Sequence, residues 1–520
     1  MPKLGPKLDK ICDLHSIVDL GYSNKPDEYA VLSQRACLTW RQLNDLSDKL
    51  AQTLLAKGLV PGDLFTLLLP NCWEAVVAFC AALKSGTVVF PIYYPFTPRQ
   101  IDSALLKSAP KLLLAHPSKR RDLAKCENIS NLGIEVLYLK YSDEVSLGLE
   151  VSKSNIRAVA SLPPPCPERP FLILYTSGST GAPKGVTYNA KNFGTSVQAF
   201  IQVFNITDKD TTLNCASLFH LSGLLMVFAG LGAGGKTAVA PSQEQSSIRA
   251  TINTFHPTFV TSHVKEIYSL LEDHKRKQID LSSIRILRTA GDKLPETLYD
   301  QFILETGIPI FQGYGTTESC ILLTNAVEDR RYIGSVGGPY PEVQISIRDK
   351  NRREVPQGTV GNLWYKSKAT AIGFREGKSY RPLQSVDGWL DSEDLFMEDA
   401  EGHYWFRGRA KQIIKFDAES IYPQEVEGVL LSHPEVRSAA VVGVPNSIHG
   451  ENIAAYVVLK KGHSPVSEQK LISFVKKRIG FKTPHAIKFV DTIELISSGK
   501  IDRASLQKKA VVDFPQHSPD

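Results

Sequence analysis

FLILYTSGSTGAPKG (171–185) is the stretch on which the reading of this chain turns. FLILY is an apolar run of strand length, and after Tyr175 the composition changes at once. Gly178, Gly181 and Gly185 let the backbone bend and approach a ligand closely. Thr176, Ser177, Ser179 and Thr180 add hydroxyl donors, and Lys184 adds a fixed positive charge. A loop of this make-up leaving a buried strand is a cradle for a triphosphate. It is not a P-loop, because Pro183 rather than glycine precedes Lys184. Composition alone leaves a flexible serine–glycine surface loop open as the alternative.

On the amino-terminal side, Thr39 precedes Trp40, Leu43, Leu46, Leu50 and Leu54, a helical stripe that stops at Gly58. LFTLLLP (64–70) reads as a buried strand, WEAVVAFCAALKSG (73–86) as a helix and TVVFPIY (87–93) as a second strand. That is a βαβ unit, so a parallel sheet with crossovers is expected. SLPPPCPERP (161–170) is a rigid connector that delivers the chain into FLILY. Beyond the loop, TFVTS (258–262), IRILRTA (284–290) and IPIFQ (308–312) are further apolar runs, each followed by a loop. Loops at the carboxyl ends of strands are where open α/β sheets bind ligands. After about residue 408 the pattern shortens: VRSAAVVGVP (436–445), NIAAYVVLK (452–460), a helix over 468–480 and AIKFVDTI (486–493) predict a small α+β domain.

GLGAGGKT (230–237) formally fits both GxxxxGK[ST] and GxGxxG. Either motif needs a strand before it and a helix after it. Here a helical pattern precedes, and Pro241 comes too soon for a helix, so the segment reads as a helix-to-strand turn.

With 520 residues the chain is too long for one core, so at least two domains are expected. The net charge of +6 carries no block of like charges and points to a solvated surface rather than a nucleic-acid stripe. Eight scattered cysteines without metal-like spacing are expected to be reduced thiols, with the cytoplasm as the default location. MPKLGPKLDK lacks the apolar stretch of a signal peptide, no apolar run is long enough to span a membrane, and QHSPD is not a targeting tail. Oligomeric state is not legible.

The loop at 175–185 resembles the phosphate-binding signature of the adenylate-forming superfamily, which contains acyl-CoA synthetases, aryl-CoA ligases, beetle luciferases and peptide-synthetase adenylation domains. Other segments resemble the family's motifs in order. GYGTTES (313–319) is similar to the adenine and phosphate motif, which implies that Tyr314 stacks on adenine, that Gly313 and Gly315 belong to the ATP site and that Thr317 bonds phosphate. Glu318, with Thr176, would hold Mg²⁺ through oxygen. AGDKLP (290–295) resembles the adenine-edge loop and implicates Gly291 and Asp292. GWLDSEDL (388–395) resembles the ribose motif, with Asp394 accepting from ribose. GRAKQIIK (408–415) resembles the hinge, with Arg409 reaching ribose and Lys411 at the pivot, and SSGKIDR (497–503) places Lys500 as catalytic lysine.

The resemblance implies an α/β fold: a large amino-terminal adenylation domain (1–408) of stacked α/β sheets plus a distorted β-barrel, and a small mobile α+β domain (409–520) carrying Lys500. It implies an ATP-dependent acid:CoA ligase. ATP and a carboxylic acid would give acyl-AMP, and coenzyme A would then take the acyl group. Two anions must meet in the first step, so charge neutralisation by Lys500, Lys184 and Mg²⁺ would supply most of the catalysis. FHLSG (219–223) carries His220 where amino-acid-activating relatives carry Asp, which disfavours an α-amino acid. His220 would act on the carboxylate side, or be a satisfied buried histidine. Leu221, Leu224, Leu225, Met226 and Phe228 suit an apolar pocket wall or a buried helix. KFDAESIYP (415–423) departs from the family, with Asp417 and Ala418 where glycine is common beside the thiol tunnel. The rival readings are an acyl-AMP ligase serving a carrier protein or an amine, a luciferase-like oxidase, and a nucleotide- or acyl-binding pseudoenzyme.

Overall fold

The computed structural model describes residues 12–140, 148–149, 161–176, 184–291, 294–325, 332–377, 379–416, 419–446, 450–460, 466–495 and 501–514. The helix expected after Thr39 runs Trp40–Ala56, and Thr39 and Gln42 close a reciprocal capping box at its start. The strand Leu64–Leu68, helix Trp73–Ser85 and strand Val88–Pro91 come next, with the two strands parallel as the βαβ pattern predicts.

These strands belong to a nine-stranded sheet. Its order is Ser379–Arg381, Gly373–Glu376, Lys184–Asn189, Pro170–Thr176, Val88–Pro91, Leu64–Leu68, Leu112–Ala115, Glu135–Lys140, Gly148–Leu149. A second nine-stranded sheet contains Ile310–Tyr314, Ile286–Ala290, Phe259–Ser262, Thr211–Asn214 and Lys236–Val239 as mutually parallel neighbours. Tyr29–Ser33, from near the amino terminus, joins this second sheet beside Lys236–Val239. One large core contains Leu67 and Leu172 of the first sheet, Val239 and Phe259 of the second, and residues of helices 73–85, 190–204 and 221–232. Helix Trp73–Ser85 is buried nearly all round, as a helix held between two layers must be.

GLGAGGKT is a helix-to-strand turn: the helix Leu221–Gly232 ends, and the strand Lys236–Val239 begins. Where the resemblance implies a barrel, the described strands form a four-stranded antiparallel sheet in the order Val343–Arg348, Gly361–Ser367, Leu390–Glu398, Tyr404–Arg409. The carboxy-terminal part has its own five-stranded sheet. Val436–Asn446 pairs antiparallel with Gly450–Leu459, and Ala486–Phe489 pairs parallel with the latter. Helices Pro423–Leu431, Glu468–Ile479 and Arg503–Asp513 cover it, and its two core clusters draw only on residues from Ile414 onward. Among the described residues no helix is long and apolar enough to cross a membrane.

Candidate active site

The glycine-rich loop is the connection of a β-hairpin. Pro170–Thr176 and Lys184–Asn189 pair antiparallel, with Thr176 opposite Lys184. Ser177, Gly178, Ser179, Thr180 and Gly181 lie outside the described residues, as do Asp292, Lys500, Asp417 and Ala418. The two stems of the loop therefore stand side by side at one end of the first sheet. The described chain resumes after the loop as the strand Lys184–Asn189 and not as a helix, so an anion there would depend on backbone amides, hydroxyls and Lys184 rather than a helix terminus. The Lys184 ammonium sits 5.2 Å from the Phe374 ring centroid, which holds it near the loop stem.

In the second sheet, parallel strands send their carboxyl ends to one edge. Ile286–Ala290 ends at Gly291, whose φ of +98° is left-handed and favours glycine. Ile310–Tyr314 ends in the loop Gly315–Cys320. A side chain at Gly315 would strike the Cys320 carbonyl, so only glycine lets the loop fold back on itself. Thr316 and Ser319 knit it: the Ser319 N–H donates to Thr316 Oγ1 at 3.2 Å, and the Thr316 N–H donates to Ser319 Oγ at 3.0 Å. Tyr188 donates its hydroxyl to the Thr317 carbonyl at 2.8 Å, and the Ala371 N–H donates to the Glu318 carbonyl at 2.8 Å. The loop holding Thr317 and Glu318 is thus fixed from two sides. The Thr316–Ser319 spacing is a local signal that the sequence carries in GTTES, apart from the ligand-binding roles its motif implies.

Tyr314, Asp394 and Arg409, drawn from three separate motifs, meet. The Tyr314 hydroxyl donates to Asp394 Oδ2 at 2.7 Å, and Arg409 Nε lies 3.1 Å from Asp394 Oδ1. Asp394 is buried, while Arg409 is half-exposed. Strand pairing brings the latter two together, because Asp394 is in register with Arg409. Burial raises the Tyr314 hydroxyl well above its usual pKa, and the Asp394 carboxylate adds to the effect, so it remains a donor. Tyr314→Phe should remove the donor and leave the arginine. A roughly tenfold rise in the KM for ATP is expected, the scale of one hydrogen bond to a charged group. An unchanged KM for ATP would show that the bond does not organise the nucleotide site.

Glu318 is half-buried. Burial first and the Glu318 carboxylate next raise the pKa of the Tyr365 hydroxyl. A single carboxylate among hydroxyls suits a hard divalent cation that keeps its waters and binds phosphate oxygens, so the donor set fits Mg²⁺.

His220 caps the helix Leu221–Gly232. Its Nδ1 accepts from the Ser222 N–H at 3.3 Å and meets Ser222 Oγ at 2.9 Å. An accepting Nδ1 puts the proton of the neutral ring on Nε2. Leu221, Leu224, Leu225, Met226 and Phe228 are all buried in the large core, as the buried-helix alternative requires. Lys411 lies in the short turn Ala410–Gln412, with Nζ 2.8 Å from Glu393 Oε2 in an exposed pair.

Comparison with known proteins places this geometry. The AMP-binding enzyme family matches residues 21–374, and the AMP-binding enzyme C-terminal domain matches residues 425–500. A probable CoA ligase of Humulus lupulus is 30% identical over 91% of this chain and 88% of its own length. The oxalate–CoA ligase of Arabidopsis thaliana is 28% identical over 92% of this chain and 95% of its own. Among solved structures, an anthranilate CoA ligase in complex with anthranoyl-AMP superposes with a TM-score of 0.86 at 25% identity, covering 97% of this chain and 98% of that one. With the sheet order, the carboxyl-edge loops and the Tyr314–Asp394–Arg409 cluster, these matches establish that the chain belongs to the AMP-binding enzyme family.

Proposed function

We infer that the protein is an ATP-dependent carboxylic acid:CoA ligase that forms an acyl-AMP and then an acyl-CoA thioester. The observation that carries this is the convergence of Tyr314, Asp394 and Arg409 beside the loop that bears Glu318, in a chain matched along its length by CoA ligases. Asp394 accepts from ribose, and Arg409, which lies against Asp394, also reaches ribose. Thr317 and the glycine-rich loop with Lys184 bind the phosphates, and Lys500 offsets charge between the carboxylate and the α-phosphate. Glu318 and Thr176 would hold Mg²⁺, which would supply charge neutralisation at the phosphates. His220 works at the carboxylate side from its place at the helix cap.

The chain divides into an adenylation domain (1–408) and a carboxy-terminal domain (409–520), with Lys411 as pivot. Independent core clusters beyond Ile414 support that division. Cytoplasmic residence belongs to the same proposal. Its support is eight free thiols, with burial pushing those of Cys72, Cys80, Cys215 and Cys320 up to about 12.

Pyrophosphate exchange across a panel of carboxylic acids tests the first step, and thioester formation with CoA tests the second. Exchange without thioester would hand the acceptor role to an amine or a carrier protein, the alternative that Asp417 and Ala418 keep in view. No exchange with any acid would favour the pseudoenzyme. Lys411→Pro restricts φ at the pivot. It should spare exchange and lower thioester formation, and the reverse pattern would place the pivot elsewhere.

A further inference from the structure

Strands Thr211–Asn214, Phe259–Ser262 and Ile286–Ala290 lie side by side with Asn214 opposite Thr261 and Thr261 opposite Arg288. In-register neighbours in a parallel sheet share a face, so these side chains form a row with steps of about 4.8 Å. One end of the row lies under the first turn of the helix that His220 caps. The Asn214 side-chain amide donates to the Ser217 carbonyl at 3.4 Å, and both groups crowd the bare Cα of Gly223. The other end lies under the nucleotide loop. A Cβ at Gly313 would collide with the Arg288 guanidinium, so that charge rests against the residue just before Tyr314.

IRILRTA reads as an apolar strand, yet Arg288 sits within it at 4% exposure. No carboxylate among the described residues pairs with it, and its Nε has no hydrogen-bond partner. Its neighbours are the Phe200 ring at 5.3 Å and the neutral hydroxyl of Tyr340, whose pKa is raised by burial and lowered by Arg288. A cation–π contact offsets little of the cost of burying a charge. Asn214 Oδ1 is also buried and unpartnered. Native interiors rarely leave such groups unpaired. Arg288 and Asn214, in one row between the His220 cap and the Tyr314 loop, suit the polar end of a ligand.

We propose that Arg288 binds a second anionic group on the acid, so that the protein activates short acids bearing a distal carboxylate or sulfonate. The inference rests on the ligase reading. Arginine only donates and stays charged, so an anion is the partner that both satisfies and neutralises it. The reacting carboxylate belongs at the α-phosphate with Lys500. Arg288, set into the sheet face, meets the opposite end of the molecule.

Pyrophosphate exchange with length-matched pairs tests this: malonate against propionate, succinate against butyrate, and 3-sulfopropionate against butyrate. In the wild type the doubly anionic member of at least one pair should have a kcat/KM about 30-fold higher, with the difference in the KM for acid. Arg288→Met should abolish that ratio while keeping the KM for ATP, and Arg288→Lys should keep part of it. Best exchange with the singly charged acids, or an equal loss for both members of every pair in Arg288→Met, would overturn the proposal and leave the ligase reading standing. No exchange with any acid would overturn the ligase reading itself. Should Arg288→Met fail to fold by thermal unfolding, the wild-type ratios decide alone.

Discussion

Lys500→Ala should lower acid-dependent pyrophosphate exchange by roughly 100-fold or more, the scale of losing a preorganised charge partner in a transition state. Thioester formation from acyl-AMP supplied ready-made should persist. The asymmetry comes from the chemistry. Joining a carboxylate to ATP brings two anions together, whereas transfer to a thiol starts from a neutralised acyl group. Lys500 lies outside the described residues, but the base of its loop is described. Leu495 and Ile501 form an antiparallel bridge, and the Asp502 N–H donates to the Glu494 carbonyl at 2.9 Å. The described residues on either side of 496–500 therefore stand next to each other. Both half-reactions are to be measured on the same preparation, and equal damage to them would remove Lys500 from its assigned role.

Much of the architecture is legible in short stretches because its signals are local. Thr39 with Gln42 marks a helix start, and strand-length apolar runs mark the parallel sheets. GLGAGGKT is recognisable as a decoy because Pro241 forbids the helix that a phosphate motif needs. What escapes local reading depends on distant partners. Nothing in YAVLS announces that Tyr29–Ser33 will pair with Lys236–Val239, in a sheet whose other parallel strands begin at Thr211. Nothing in the glycine-rich loop announces that its stems form a hairpin, since that is decided by pairing between 170–176 and 184–189.

The site obeys the same rule. Motif order locates Tyr314, Asp394 and Arg409 separately, but the contact of Tyr314 with Asp394 spans 80 residues and is made by the fold. Arg288 is invisible for a different reason. A single arginine in a hydrophobic strand reads as an edge or a solvent-facing position, and only burial without a counter-ion marks it as unusual.

Glu427→Ala should destabilise the carboxy-terminal unit by about 3–5 kcal/mol, the usual cost of breaking one side of a buried ion pair. Glu427, on the helix Pro423–Leu431, meets Arg503 in a two-pronged contact: Nη1 to Oε1 at 2.6 Å and Nη2 to Oε2 at 2.8 Å. Oε1 also accepts from the Val441 N–H at 2.7 Å, and Arg503 Nη1 donates to the Val441 carbonyl at 2.9 Å. Side-chain exposure is 14% for Arg503 and 9% for Glu427, so solvent replaces little of what alanine removes. The variant removes the Glu427 counter-charge from the guanidinium and the Oε1 acceptor from the Val441 amide. Arg503 opens the helix Arg503–Asp513 directly after the loop of Lys500. Loss of the anchor should therefore also lower pyrophosphate exchange, while thioester formation from supplied acyl-AMP falls less. Urea unfolding gives the stability change, and amide exchange around Val441 localises it. Glu427→Leu combined with Arg503→Met removes both charges together. It should recover much of the stability, because an apolar pair of similar volume avoids the stranded charge. If Glu427→Ala shifts stability by only a few tenths of a kcal/mol, the pair does not anchor the loop, and the placement of Lys500 must come from elsewhere in the domain.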